Sequence, residues 1–202
     1  MGNKGELEME SYEKIVANFK KLFGETKEPM FAPATEEEMK KLRQLVGDDV
    51  PKFLEFYEKY QPQYGLPTMD CYLNLCDIDS ILTENLDGEP GEHLAKYGVF
   101  AFATTVGGDL VCIDTNNCKE GDPAVLIASH TFCFYNDDMR RVELYDVPES
   151  VSDEYEDADY IPLNYANIKK CLPRIEKSFI KFMDKLSRNQ YEDIEEEYLD
   201  FD

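Results

Sequence analysis

Histidine is scarce in this chain: His93 and His130 are the only two in 202 residues. None of the cysteines, Cys71, Cys76, Cys112, Cys118, Cys133 and Cys171, forms a CxxC pair. Together these absences exclude the ligand spacing of a zinc site. Positive charge is also short, with 21 Lys and Arg against 43 Asp and Glu, for a formal net charge of −22. A field of that sign repels phosphate backbones and anionic lipid, so neither nucleic acid nor membrane is an expected partner. No apolar run has the length of a membrane span, and the first residues, MGNKGELEMESYEK, contain no apolar h-region. Glu6 stands where a myristoylation signal needs Ser or Thr. The expectation is a reduced, cytoplasmic protein with free thiols, and with neither metal nor cofactor.

Hydrophobic residues make up 43% of the chain, enough for a sizeable core. No internal repeat or second boundary interrupts it, so residues 1–202 read as one domain. Residues 99–114, VFAFATTVGGDLVCID, read as two strands joined at Gly107-Gly108-Asp109. Phe100, Phe102 and Thr104 alternate with Val99, Ala101 and Ala103 at the period of a strand, and apolar residues on both faces point to a central strand pair covered on at least one side by helices.

Helical spacing predicts a first helix over 11–23, stopped by Gly24. A linker with two prolines follows over 25–33. Thr35 and Glu38 then form a capping-box signature before the stripe Met39, Leu42, Leu45 and Val46. Asp48 or Asp49 is the expected cap of the next helix, with Pro51 in its first turn. Its aromatic face (Phe53, Phe56, Tyr57, Tyr60) reads as core. Residues 61–68 read as a loop, 71–75 as a short strand, and Asp77 or Asp79 as the cap of a helix to Asn85. Residues 116–123 read as a loop before a strand at 124–129. Residues 131–135 and 141–145 are weaker strands, the second setting Val142 and Leu144 against Glu143 and Tyr145. Residues 148–159 read as an acidic loop. A helix follows from Asn164, and Pro173 fits either the first turn of a final helix or a kink in one long helix. Residues 190–202 read as an acidic tail.

Catalytic patterns are sparse. His130 and Cys133 are near in sequence, but the flanks ASHTFCF form no nucleophile elbow. Gly107-Gly108 lacks the context of a nucleotide-binding loop. Asp109 and Asp114 bracket a strand and read as turn and strand-end hydrogen-bond acceptors rather than metal ligands. The candidate partner-binding residues lie in the two acidic runs: Asp153, Glu154, Tyr155, Glu156 and Asp157 in one, Tyr198 beside Glu197 in the other. Tyrosines among carboxylates offer a basic nuclease surface a mimic of base and phosphate. The plainer reading of such runs is a solvated segment that keeps the protein soluble.

Taken in order, several segments resemble the SUKH superfamily, named for fungal Smi/Knr cell-wall regulators and bacterial immunity proteins. The resemblance begins at ATEEEM (34–39). VPKFLEFY (50–57) is similar to the family's "LP.dy..FL" helix, and GGDLVCID (107–114) to its "GGGD.i.yD" signature, with Val106 replacing one glycine. The stretch 123–130 resembles the following "pVy...hd" strand. SFIKFM (178–183) is similar to the closing "SF.eFL" helix. The match spans about 33–187, with Gln61-Pro62-Gln63 in place of the usual "NGg" turn and a longer, acidic 131–160. It implies an α+β fold: a curved, mostly antiparallel sheet of about five or six strands with helices packed around it. It gives Gly107, Gly108, Asp109, Asp114, Ser178, Phe179 and Phe182 a structural role and implies no catalytic residues. The function implied is a non-enzymatic protein-binding domain, an immunity protein that neutralises a toxin domain, acting as a monomer or weak homodimer. The alternatives are a regulatory scaffold like the fungal members, or a small hydrolase using Cys133 and His130.

Overall fold

The computed structural model of the chain describes residues 4–24, 29–63, 66–67, 73–156 and 158–199. Helix α1 (Lys4–Phe23) buries Tyr12, Ile15, Val16 and Phe19 at the expected spacing. Gly24, at φ 76°, closes it by donating its N–H to Lys20 O at 3.0 Å. The strand β1 (Phe31–Ala32) occupies part of the expected linker. Helix α2 (Glu36–Val46) opens with the capping box: Glu38 N–H donates to Thr35 Oγ1 (3.3 Å) and Thr35 N–H to Glu38 Oε2 (2.6 Å). Helix α3 (Pro51–Tyr60) has Pro51 at its start, but neither Asp48 nor Asp49 caps it. Val50 holds the cap position with no side-chain bond, and Gly121 O accepts the Lys52 N–H at 3.1 Å from a distant turn. The expected loop 61–68 contains β2 (Gln61–Pro62), paired with β1, and β3 (Leu66–Pro67).

Strand β4 (Leu73–Leu75) precedes α4 (Ile78–Leu86), whose Asp77 cap accepts the Ser80 N–H at 2.8 Å. Positions 71 and 72 of the expected strand lie outside the described residues. A short α5 (Gly91–Ala95) leads into β5 (Val99–Thr105), β6 (Leu110–Lys119) and β7 (Asp122–Ala128). The loop expected at 116–123 is instead strand running into a tight reversal. Glu120 (φ 53°) and Gly121 (φ 77°) both take left-handed conformations there, as a two-residue hairpin turn requires. Strands β8 (Cys133–Asn136) and β9 (Arg141–Leu144) form a separate antiparallel ribbon. The expected acidic loop holds α6 (Glu149–Ser152) and a 3₁₀ turn over Asp153–Tyr155.

Helix α7 (Tyr165–Cys171) is capped by Asn164. Pro173 neither starts nor kinks a helix. It leads into β10 (Arg174–Glu176), and the next helix, α8 (Phe179–Ser187), starts only after Ser178. The acidic tail is also corrected in part: α9 (Ile194–Leu199) is a helix, anchored by buried Tyr191 and Ile194.

The architecture is α+β. Among the described residues, six antiparallel strands form a curled sheet in the order β10-β7-β6-β5-β4-β3, with helices around it. Its two faces build two cores. Phe100, Phe102, Val111, Ile113, Val125 and Ile127 face α1, α2, α3, α4 and α8. Val99, Ala101, Leu110, Cys112, Leu126 and Ala128 face α5, the β8–β9 ribbon and α7. The alternation read from the sequence therefore holds through Phe102 and then fails. A bulge between Ala101 and Ala103 puts Ala103 into the first core with Phe102 and pairs Thr104 with Leu110 of the second. Phe179 sits amid the first core, with ring centroids 5.1 Å from Phe53, 5.6 Å from Phe56 and 5.4 Å from Phe102. Rings at that spacing add roughly 0.5–1.5 kcal/mol per pair to their burial.

Candidate partner-binding surface

Three buried aspartates join the sheet to other elements, Asp109 just before β6, Asp122 at the start of β7 and Asp114 within β6 at a register shift. Asp109 Oδ1 accepts both the backbone N–H of His130 and a bond from its ring Nδ1, each at 2.8 Å. Asp114 accepts the Tyr165 hydroxyl at 3.0 Å and the Asn116 N–H at 3.1 Å, tying α7 to β6. Burial and this carboxylate push the Tyr165 hydroxyl up to about 12. Asp122 Oδ2 accepts the Ser178 hydroxyl at 2.6 Å. Ser178 Oγ in turn accepts the Lys181 N–H at 3.1 Å, capping α8. Asp109 holds hydrogen bonds at the turn before β6, whereas Asp114 is not the strand end expected from the sequence: β6 continues past it to Lys119, and its carboxylate anchors Tyr165 of α7.

Gly107 and Gly108 form the tip between β5 and β6. The Gly107 N–H donates to Glu195 Oε1 of α9 at 2.9 Å, and a Cβ at Gly107 would lie 2.7 Å from that oxygen. Gly108 has φ 93°, which glycine reaches without strain. Phe179 and Phe182 of the closing helix are buried in the first core.

The Cys133–His130 pair is not formed. Cys133 is fully buried in the second core, where burial pushes its thiol up to about 12, and no hydrogen bond joins it to His130. The His130 side chain, 55% exposed, is oriented by Asp109 instead. Among the described residues, one trio gathers metal-capable groups, Glu89, Glu92 and His93. Both imidazole nitrogens of His93 already face carboxylates, Nε2 at 2.9 Å from Glu89 and Nδ1 at 3.0 Å from Glu92, and Lys96 Nζ lies 3.4 Å from Nδ1. That cationic neighbour opposes a bound cation.

The acidic candidates do not come together. Tyr155 packs against the second core, with its hydroxyl on Asn167, while Glu154 pairs with Lys170. Asp153 and Glu156 are exposed beside them, and Asp157 lies outside the described residues. Tyr198 packs against the first core. The two groups therefore occupy opposite sides of the sheet.

On the side of Tyr155 lies a surface that the candidate set omits. The outer face of the β8–β9 ribbon carries Phe134 and Tyr145, with ring centroids 5.9 Å apart. Arg141 lies over the Tyr160 ring at 3.6 Å. Tyr145 is 54% exposed, and Tyr135, Met139 and Tyr160 are also exposed. Glu143 lies among them, and bonds from Asn136, Arg141 and Tyr145 hold its carboxyl below the usual range. From 142 to 168 the chain contains no lysine or arginine. The alternation of Val142 and Leu144 with Glu143 and Tyr145 already pointed Tyr145 outward. Its place beside Phe134 depends on ribbon pairing, which that alternation does not specify.

Comparison with protein-family models, with curated proteins and with solved structures gave no match. Among the described residues, no helix is long and apolar enough to cross a membrane.

Proposed function

We propose that this chain is a non-enzymatic protein-binding domain of the SUKH type, an immunity protein that neutralises a toxin domain with a basic surface. The observation that carries this reading is the β8–β9 ribbon. Exposed Tyr135, Met139, Tyr145 and Tyr160, with Arg141, lie within or beside the segment 142–168, which has eight Asp and Glu and no Lys or Arg. Tyr, Met and Arg are the residues that protein interfaces concentrate, and a surrounding negative field speeds encounter with a basic partner. The ordered motif resemblance supports the same reading. Its segments pack together here: Met39, Phe53, Val111, Ile113, Val125, Ile127 and Phe179 share one core, with the Phe53 and Phe179 ring centroids 5.1 Å apart. Asp153, Glu154 and Glu156 lie on the ribbon's side of the sheet and extend its acidic rim.

Co-expression with a toxin encoded in a neighbouring reading frame tests the proposal. Cells that survive only while this chain is present support it, and death at the same rate with and without the chain contradicts it. Recovery of several endogenous proteins instead of one toxin would favour a regulatory scaffold.

A further inference from the structure

Where α2, α4 and α5 meet over β5, they leave a cleft of about 530 Å³. Its apolar lining is Leu45, Leu82, Leu86, Ala95 and Phe100. Leu86 is 55% exposed at its edge, a large aliphatic side chain with no cover. A cleft of this size with an apolar lining and a few polar groups has the make-up of a small-molecule site.

The charge around it departs from the rest of the molecule. The chain carries −22 overall, yet this cleft is edged by two lysines, Lys41 and Lys96, and one carboxylate, Glu92. Glu92 is turned to the buried His93 ring, 3.0 Å from Nδ1. Neither lysine forms an ion pair within the 4.0 Å limit of a salt bridge with any described residue. Of the two amides in the wall, Gln44 is exposed and Asn85 is spent on the fold: it bonds Ile81 O, Ala101 O and the Ala101 N–H. What the cleft offers a ligand is therefore aliphatic and aromatic surface with two exposed lysines at its mouth, Lys96 with its Nζ 3.4 Å from His93 Nδ1 and Lys41 in the field of Glu38.

We infer that this cleft binds an amphipathic carboxylate, a single acyl chain with a free acid head. The chain lies over Leu45, Leu82 and Phe100, and the head sits between Lys41 and Lys96. An ammonium compound of the same tail is disfavoured by the two lysines. The cleft shares no lining residue with the ribbon surface and does not rest on the toxin-binding reading.

The test is titration calorimetry of the full chain with monomeric dodecanoate, below its micelle concentration, and with dodecyltrimethylammonium as the cationic counterpart. Dodecanoate is expected to saturate one site, and the ammonium compound to bind at least about tenfold more weakly. Lys41→Glu and Lys96→Glu, both exposed and outside the cores, are each expected to weaken dodecanoate by about tenfold with unchanged far-UV circular dichroism. Leu86→Ser, at the exposed rim, is expected to weaken both amphiphiles alike. Equal affinity for the two amphiphiles, indifference to both charge reversals, or binding to phosphatidylcholine vesicles without binding of dodecanoate would each overturn the inference.

Discussion

Ser178 donates its hydroxyl hydrogen to Asp122 across 56 positions of sequence, at 2.6 Å, and the same oxygen caps α8. One side chain thereby closes a helix and fastens it to the start of β7. Ser178→Ala removes a cap worth about 1 kcal/mol. It also deprives a buried carboxylate of a partner, for a total of roughly 2–3 kcal/mol. Urea denaturation reads this as a lower midpoint at unchanged slope. A midpoint within error of the wild type would contradict the role assigned to Ser178.

Gly108 and Gly121 separate backbone strain from crowding. Both have positive φ, 93° and 77°. At Gly108 an added Cβ meets nothing nearer than the His130 Cβ at 3.9 Å, whereas at Gly121 it would lie 2.5 Å from Pro51 Cγ. Gly108→Ala is expected to destabilise by about 1–2 kcal/mol, the left-handed penalty alone. Gly121→Ala is expected to cost a further ~1–3 kcal/mol, because the Pro51 ring at the start of α3 must move. Equal losses in the two variants would show that the β6–β7 turn does not press on α3.

Stability falls on the alkaline side. Burial raises the thiols of Cys171 to about 11 and of Cys76 and Cys133 to about 12. An unfolded thiol releases its proton near ~8.5. Between that value and about 11, the unfolded chain binds fewer protons than the folded one, so stability declines as pH rises. Each such thiol contributes a slope approaching ~1.4 kcal/mol per pH unit in that window. Urea midpoints measured from pH 7 to 10.5 should be level below about pH 8 and fall above it. A midpoint that rises with pH through this range would contradict the burial of these thiols.

The ribbon is expected to be separable from stability. Tyr145→Ala and Tyr160→Ala remove exposed rings and should change the urea midpoint by no more than about 0.5–1 kcal/mol equivalent. Association with a basic toxin should slow as salt rises, since a Debye length near ~8 Å at physiological ionic strength screens the acidic rim. An association rate that is flat between low and high salt would count against electrostatic steering by the 142–168 segment.

Much of the fold was legible because local chemistry and tertiary packing agree. The Thr35–Glu38 box, the Asp77 cap and the alternation of Phe100 and Phe102 with Val99 and Ala101 all appear as read. The misreadings occur where a distant partner decides. Residues 116–123 have turn-like composition, yet cross-strand bonds extend β6 and β7 to within two residues of each other. The bulge after Ala101 leaves no mark in hydrophobic spacing and moves Ala103 and Thr104 to the other faces. Val50 goes without a side-chain cap, and the turn at Gly121 supplies an acceptor for the Lys52 N–H two residues on. In the tail, charge masks Tyr191 and Ile194, which anchor α9. The ribbon surface escaped for a similar reason. Phe134, Tyr145 and Tyr160 are separated in sequence, and only the pairing of β8 with β9 and the approach of Arg141 to Tyr160 assemble them.

The most direct test of partner binding by the ribbon is calorimetric titration of the full chain with the purified toxin domain from a neighbouring reading frame. Tyr145→Ala and Tyr160→Ala on the ribbon are compared with Tyr198→Ala on the far side of the sheet. The account predicts that the wild type binds, that each ribbon variant loses at least about tenfold in affinity, and that Tyr198→Ala binds like the wild type. Wild-type affinity in both ribbon variants, with the loss confined to Tyr198→Ala, would contradict it.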